Sequence, residues 1–325
     1  MSMASAGRHV ILSYAAVLEA VLSVLVVLGA VTIQAVGEDE PFYTTMAAAE
    51  PVPAAPPAVA GASTGSYSWD CGRNDGGHRN TANIVVTPGR PGPPHHEHDY
   101  VGNLGVRSDS TVDSIVGSST TCGNGDASTY FWPVLRYGKP DAKGHGGPAQ
   151  VPVEVNLTYF GNPRGSVLPM PFLLRAQVGD AYARTNGGKF ARARWTCSDT
   201  LDRQTTKYPL CSGGANVTRI FDFPSCWDGV RLDSPDHRGQ VVFAAEGGGC
   251  PVGTFAVPRL RITMTYAVAA GARYRVDAFP EQGNDPTTDH GFLVNLMPEP
   301  LMTRVVTCLN RGLACDDSAT KRSSP

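Results

Sequence analysis

The residues best suited to chemistry in this sequence are its histidines, which are few and clustered. The chain has eight histidines, and five of them lie in three short polar segments. The first segment reads His95-His96-Glu97-His98-Asp99-Tyr100. In an extended strand His96 and His98 project from the same face, where two imidazoles can share a cation or a proton path. This pair is therefore the first candidate for acid, base or metal-ligand chemistry.

The other two segments place an aspartate directly before a histidine. They read Asp233-Ser234-Pro235-Asp236-His237 and Thr288-Asp289-His290-Gly291. A carboxylate can orient an imidazole, but neighbours in a strand point to opposite faces, so pairs between segments are more useful than pairs within one. The catalytic candidates therefore come from all three segments: His96, His98, Asp99, Asp236, His237 and His290. The alternative is three unrelated polar turns with local hydrogen bonds.

A divalent metal is a possible cofactor, with His96, His98 and His237 as candidate ligands, because imidazole suits borderline metals. Common enzyme motifs give no support for a specific reaction. The sequence has no His-Glu-x-x-His and no phosphate-binding loop. Its Gly-x-Ser-x-Gly string, Gly61-Ala62-Ser63-Thr64-Gly65, falls in the segment expected to be a linker, where no strand-to-helix turn of a nucleophile elbow is predicted. The sequence therefore indicates a candidate site without specifying a reaction.

All eight cysteines follow residue 70, and an even set of this kind indicates disulfides in an oxidising compartment. Sequential pairing is the working hypothesis. A thiolate zinc site is disfavoured because no Cys-x-x-Cys occurs. The expected pairs are Cys71 with Cys122, Cys197 with Cys211, Cys226 with Cys250, and Cys308 with Cys315.

Residues 1–37 have the composition of an export element. Arg8 and His9 precede a mostly apolar run, interrupted by Glu19 among other residues. The pattern fits a cleaved signal peptide and also an uncleaved signal anchor that would contact the membrane, so both interpretations stay open. Either predicts a protein that is secreted or anchored to the outer face of the cytoplasmic membrane.

Composition divides the rest of the chain. Residues 38–65 are expected to be an Ala/Pro-rich linker, residues 66–317 an exported β domain and residues 318–325 a disordered tail. The formal net charge of −2 supplies no basic field for nucleic acid, so no such partner is expected.

The strand patterns predict a mainly β fold, a sandwich or jelly-roll-like single domain with long loops. Apolar and polar residues alternate most clearly in residues 258–268 and 151–159. A single short C-terminal helix is expected at residues 299–310, with Pro300 near its start and Gly312 just past its end. Further strands are expected at residues 83–87, 130–137, 172–178, 189–196, 240–245 and 273–278.

Several segments resemble the family catalogued as domain of unknown function 1996. The central ones read Phe223-Pro224-Ser225-Cys226-Trp227-Asp228-Gly229 and Leu232-Asp233-Ser234-Pro235-Asp236-His237. The segment from His96 to Asn103 resembles the family's His-x-His-Asp-aromatic-x-Gly-Asn stretch, and Asp289-His290-Gly291-Phe292 its C-terminal histidine segment. The family occurs in secreted or wall-associated proteins of fungi and actinobacteria. Because no general activity is established for it, the resemblance implies location and domain extent more than a reaction.

The chain also departs from the family pattern. Gln240 stands where a second histidine is expected, and Leu293-Val294-Asn295-Leu296 replaces an aromatic-rich stretch. The resemblance therefore implies that Gln240 borders the site, and that a family site of catalytic or metal-binding type would be attenuated here. The residues expected to complete a binding site are Tyr100, Asn103, Asp233, Gln240 and Asp289.

Three functions stay open. The first is binding of a polysaccharide or another cell-wall ligand through a groove lined by His and Asp. The second is a glycan-directed hydrolase or lyase that uses the same residues. The third is an inert, disulfide-rich structural protein. Histidines that converge in one concave cleft would favour the enzyme, a shallow groove edged by aromatic residues would favour binding, and dispersed histidines would favour the structural protein.

Overall fold

The chain is mainly β, and its strands are short. The computed structural model describes residues 40–93, 96–138 and 147–317. The described strands, in chain order, are β1 (Tyr43–Thr44), β2 (Glu50–Pro51), β3 (Ser66–Trp69), β4 (Arg79–Asn80), β5 (His98–Gly102), β6 (Thr129–Pro133), β7 (Leu135–Tyr137), β8 (Ala149–Gln150), β9 (Glu154–Phe160), β10 (Arg175–Gly179), β11 (Arg194–Cys197), β12 (Arg203–Gln204), β13 (Tyr208–Pro209), β14 (Val217–Asp222), β15 (Cys226–Trp227), β16 (Val241–Val242), β17 (Phe255–Ala256), β18 (Arg259–Tyr266), β19 (Tyr274–Val276), β20 (His290–Val294) and β21 (Ala314–Asp316). Among the same residues there is one α-helix, α1 (Glu299–Asn310), with short 3-10 turns at Glu40–Phe42, Met46–Ala48, Asp113–Ile115, Pro280–Gln282 and Pro286–Thr288.

Two larger sheets dominate the fold. One has six strands in the order β11-β14-β18-β9-β3-β21, and the other has five in the order β10-β20-β6-β5-β4. They share one core, which contains Leu157 and Ile262 from the first sheet and Tyr130 and Leu293 from the second. The prediction of a mainly β, sandwich-like single domain with one C-terminal helix is confirmed.

The five-stranded sheet is buried on both faces. Side chains alternate along its strands, so Val101 and Leu293 join the shared core, while Tyr100 and Phe292 belong to a second apolar cluster. Residues 82–115 cover this second cluster and contribute several aliphatic side chains to it. The second face of the sheet is the one that carries the site described below.

The strand predictions hold where alternation is most regular, and they fail at residues 83–87. That segment is a turn. The Asn83 Oδ1 accepts hydrogen bonds from the backbone N–H groups of Val85 and Val86, at 3.2 and 3.0 Å. A short amide side chain that bonds its own backbone in this way competes with strand formation.

Four disulfides cross-link the domain, and they include all eight cysteines. They close loops of 51, 14, 24 and 7 residues in chain order. The sequential pairing expected from the sequence is confirmed: Cys71–Cys122, Cys197–Cys211, Cys226–Cys250 and Cys308–Cys315.

The segment expected to be a linker, residues 38–65, pairs with the β domain from Tyr43 onwards, although most of residues 50–61 are exposed. Its β1 pairs with β13, and its β2 pairs with β12. The Met46 side chain is buried, and the Arg203 guanidinium donates hydrogen bonds to the carbonyls of Met46 and Ala49. The compact unit therefore begins at Phe42 and not at residue 66. An Ala/Pro segment can be ordered in this way because the neighbouring surface supplies partners that its own composition lacks.

The expected export element at residues 1–37 and the expected tail at residues 318–325 lie outside the described residues. Over the part of the chain that the structure describes, no helix combines the length and the apolar character needed to cross a membrane.

Candidate active site

Two histidines begin neighbouring strands of the five-stranded sheet. His98 is the first residue of β5 and His290 the first of β20, and these strands lie on either side of β6. Because side chains alternate, His98 shares a face with Tyr100, and His290 shares that face with Phe292. His96 reaches the same place from a turn, in which its N–H donates to the Pro93 carbonyl at 3.1 Å.

The three imidazoles form a compact buried cluster. The Nε2 atoms of His96 and His290 are 3.1 Å apart. One ring nitrogen from each of His96, His98 and His290 lies within 4.8 Å of the other two. The three residues are only 5, 1 and 2% exposed. We call this group the three-histidine cluster.

Burial keeps the rings of His98 and His290 neutral. Loss of solvent holds the pKa of His98 well below its ordinary value, and the neighbouring His290 lowers it further. Burial likewise lowers the pKa of His290 to about 4. At neutral pH these two rings therefore offer nitrogen lone pairs and not positive charge, which is the form in which imidazole accepts a proton or binds a metal.

A second functional group is a histidine and aspartate pair. The Nδ1 of His237 lies 2.9 and 3.1 Å from the two carboxylate oxygens of Asp233. Arg175 donates from Nη1 to the same carboxylate at 2.6 Å and so holds it in place. Since a carboxylate only accepts hydrogen bonds, Nδ1 carries the proton and Nε2 is the basic nitrogen of His237.

The turn that carries His237 is tight. Its φ is +53°, a backbone conformation that few residues other than glycine adopt and that is frequent at functional sites. Ser234 closes the turn, because its carbonyl accepts from the His237 N–H at 2.8 Å. The Ser234 hydroxyl and the backbone N–H groups of Gly239 and Arg238 lower the pKa of Asp236 to about 2, so this carboxylate is ionised.

One cleft of about 430 Å³ joins the two groups. Its aromatic wall is a stack of three rings. The exposed ring of Tyr182 lies 4.8 Å from that of Phe279, and Phe279 lies 4.5 Å from the His96 ring. Arg238 also lines the cleft and is fixed by a hydrogen bond from Nη2 to the Gly179 carbonyl at 2.8 Å.

Five of the six catalytic candidates line this one cleft: His96, His98, Asp236, His237 and His290. Asp99 does not. It is wholly buried and accepts hydrogen bonds from Asn74 Nδ2 and Arg79 Nε. It follows His98 in β5, and strand alternation sends it to the other side of the sheet.

Of the five candidate binding residues, only Asp233 belongs to the site. Asp233 orients His237, whereas the other four are buried in structural roles and do not line the cleft. The Tyr100 hydroxyl donates to the Ala82 carbonyl, and the remaining three use their side chains within the core. Asn103 donates to the Ile115 and Ala127 carbonyls. Gln240 contacts the Ser234 hydroxyl and the Arg175 carbonyl. Asp289 pairs with Arg219.

The expected metal-ligand set also changes. His96 and His98 belong to the three-histidine cluster, but its third member is His290 and not His237. His237 uses Nδ1 on Asp233 instead. The neighbour of His96 in the sequence, His95, lies outside the described residues.

The sequence did not point to Tyr182, Phe279 or Arg238. The sequence position of Tyr182 could have indicated a binding residue. Tyr182 lies on a loop shortly after the predicted strand at residues 172–178, and binding residues are often found on loops of this kind. Phe279 follows the predicted strand at residues 273–278 in the same way. Arg238 directly follows His237.

Comparison with known proteins agrees with the residues quoted for the resemblance. No curated protein and no solved structure matches the chain. A family model described as domain of unknown function (DUF1996) matches residues 84–289, which is more than half of the chain. The matched range contains the strands and turns that carry His96, His98 and His237, and it ends one residue before His290. The chain therefore belongs to the family of domain of unknown function 1996.

Proposed function

We propose that this protein is an exported enzyme that cleaves a glycan in the histidine cleft. The observation that carries the proposal is the convergence of four histidines from three distant segments on one concave site. Chance placement of loop histidines gives no reason for such convergence, whereas acid and base chemistry requires it. The four disulfides support an extracellular location, because such bonds persist in oxidising compartments.

His237 is the residue best placed to move a proton. Asp233 fixes its tautomer and stabilises the imidazolium that forms when Nε2 takes a proton, as in other acid and base catalysts of this type. Arg175 holds Asp233 in position. The pair is partly exposed at the cleft, so a substrate can reach it.

The carboxylates of the cleft are poor general acids. Asp236 is held ionised by the hydrogen bonds that lower its pKa to about 2. Asp180 uses one oxygen on the Tyr182 N–H at 2.9 Å and the other on Asn186 Nδ2 at 2.6 Å. A conventional glycosidase needs a protonated carboxyl beside the scissile bond. These two residues therefore favour a lyase over a conventional hydrolase.

In a lyase reaction His237 would remove the proton from the carbon next to a uronate carboxylate. The bond from the adjacent carbon to the glycosidic oxygen then breaks, a carbon–carbon double bond forms, and the leaving oxygen takes a proton. The guanidinium groups of Arg238 and Arg90 both line the cleft and are suited to pair with the uronate carboxylate. The ring of Tyr182, backed by Phe279, offers an apolar surface for a sugar face.

Glycan binding without cleavage is the second candidate. The exposed Tyr182 ring at the cleft is the observation that favours it. A binding protein needs this surface and does not need a basic His237 nitrogen, so the two candidates differ in their dependence on His237.

The test is a panel of polysaccharides with and without uronic acid, incubated with the purified full chain. A lyase produces new reducing ends and an ultraviolet-absorbing unsaturated uronate, and a hydrolase produces reducing ends alone. We expect His237→Gln to lower kcat by about 100- to 10,000-fold, the range for loss of a general base. His78→Gln is the control, because His78 is a described histidine outside the cleft lining.

Retarded migration of the protein in a polysaccharide gel, with no new reducing ends, would favour the binding protein. Equal activity of His237→Gln and the control would show that His237 does not move the proton.

A further inference from the structure

We propose that His96, His98 and His290 bind a divalent transition-metal ion, with zinc as the best match. The three residues come from a turn and two strands that meet only in the folded chain. Their ring nitrogens approach within 4.8 Å of one another in a buried position beside the cleft. This inference goes beyond the proposed function, since metal binding and glycan cleavage can be measured separately.

His290 is in the tautomer that binding to a metal requires. Its Nδ1 lies 2.7 Å from the Thr288 carbonyl, which only accepts hydrogen bonds, so Nδ1 carries the proton. The lone pair is therefore on Nε2, which accepts a hydrogen bond from the Nε2 of His96 at 3.1 Å, a bond that coordination of both nitrogens to a metal would replace. A histidine that donates one ring N–H to a backbone carbonyl and offers the other nitrogen is the usual form of a metal ligand.

His98 supplies a second, independent observation. It is 1% exposed, its polar contact with the Ala82 backbone falls short of ordinary hydrogen-bond geometry, and its other ring nitrogen has no hydrogen bond among the described residues. The rings of Phe131 and Phe292 pack against it at 5.4 and 6.0 Å between centroids. A buried ring nitrogen without a hydrogen-bond partner costs roughly 1–3 kcal/mol, and a bond from that nitrogen to a metal would remove the cost.

The spacing of the nitrogens agrees with zinc coordination. Zinc binds imidazole at about 2.0–2.1 Å in tetrahedral geometry, which separates two ligand nitrogens by about 3.3 Å. The separation of 3.1 Å between His96 and His290 is close to this value. The nitrogen that His98 offers lies within 4.8 Å of the other two, so a shift of up to about 1.5 Å would bring it to the same spacing.

The donor set selects the class of metal. Three imidazole nitrogens suit zinc and its neighbours and do not suit calcium or magnesium, which need oxygen ligands. Three protein ligands leave a fourth position for water or substrate, as in catalytic zinc sites. The cleft lies on that side, because it is lined by the same three histidines.

The test is calorimetric titration of zinc alone into the full chain, purified without an affinity tag and stripped with a chelator. We expect one zinc per chain. His98→Ala and His290→Ala should each weaken binding by more than the roughly 10- to 100-fold that loss of an outer-shell partner costs. His78→Ala, which removes a histidine outside the cluster, should bind zinc as the wild type does.

Cobalt(II) gives a second measurement that needs no variant. The intense visible absorption of tetrahedral cobalt in the wild-type chain, displaced by zinc, would support the site even where His98→Ala does not fold. Zinc binding that is absent in the wild type, or unchanged in folded His290→Ala, would overturn the inference. A chain that binds zinc but cleaves no glycan would contradict only the proposed function, and a chain that cleaves glycan but binds no zinc would contradict only the metal site.

Discussion

A buried ion pair behind the site joins the two large sheets. Arg219 lies in β14 and Asp289 directly precedes β20, and both side chains are wholly buried. Arg219 donates from Nε and Nη2 to the two oxygens of Asp289, at 3.0 and 2.5 Å. Its Nη1 donates to the Pro133 carbonyl and the Tyr266 hydroxyl. Burial alone would lower the pKa of Arg219, but the Asp289 carboxylate raises it, so the guanidinium stays charged.

Removing one partner should be costly. Two unit charges about 4 Å apart attract by about 4 kcal/mol at an effective dielectric constant near 20, and the remaining charge cannot return to water. Loss of one member of a buried pair typically costs about 3–5 kcal/mol, whereas replacing both members with apolar residues is often nearly neutral. We therefore expect Arg219→Met to lower the free energy of unfolding by about 3–5 kcal/mol, and Arg219→Met/Asp289→Leu to cost less than the single change.

Urea unfolding of the two single variants, the double variant and the wild type gives the coupling energy. Arg261→Met is the matched control, because its ion pair with Asp222 is about one-third exposed and should contribute less than about 1 kcal/mol. A cost below about 1 kcal/mol for Arg219→Met, or a double variant that costs the sum of the two single variants, would refute the reasoning.

Two further predictions concern cross-links and the turn at the cleft. Removing the Cys71–Cys122 disulfide, which closes a loop of 51 residues, should lower the free energy of unfolding by about 4 kcal/mol. Removing Cys308–Cys315, with its loop of 7 residues, should lower it by about 2 kcal/mol. Comparing the unfolding free energies of the two double alanine variants checks this order. Ser234→Ala should raise the pKa of Asp236 from about 2 towards its ordinary value, as measured by NMR titration of its carboxyl carbon. Because the pKa of Asp236 is lowered in the fold, its contribution to stability is present above about pH 4 and is lost as the pH falls through about 2.

The sequence predicted the elements whose signal is local. Alternation over residues 258–268 contains β18, and the proline and glycine around residues 299–310 bound α1 as the structure has it. The central strand β14 was missed, because Arg219 in its middle resembles a solvent-exposed residue. Arg219 is buried only because Asp289, 70 residues later, neutralises it. No local pattern contains that information.

The candidate site was predictable to a similar degree. Scarce histidines in three segments indicated a common site, and the structure brings their side chains to one cleft. Asp99 and Asp289 were harder to place, since each adjoins a histidine of the three-histidine cluster and yet turns away from the cleft. The bounds of β5 and β20 decide this, because alternation from His98 and His290 assigns every neighbour to a face.

The structure gives Gln240 a different role from the one that the missing family histidine implied. An amide in place of a histidine implied a weakened site, but Gln240 is wholly buried, and its side chain contacts the Ser234 hydroxyl at 2.5 Å and the Arg175 carbonyl at 2.8 Å. Ser234 closes the turn that carries His237, and Arg175 holds the carboxylate that orients His237. Gln240 therefore supports the histidine and aspartate pair from behind, and its amide leaves the three-histidine cluster complete.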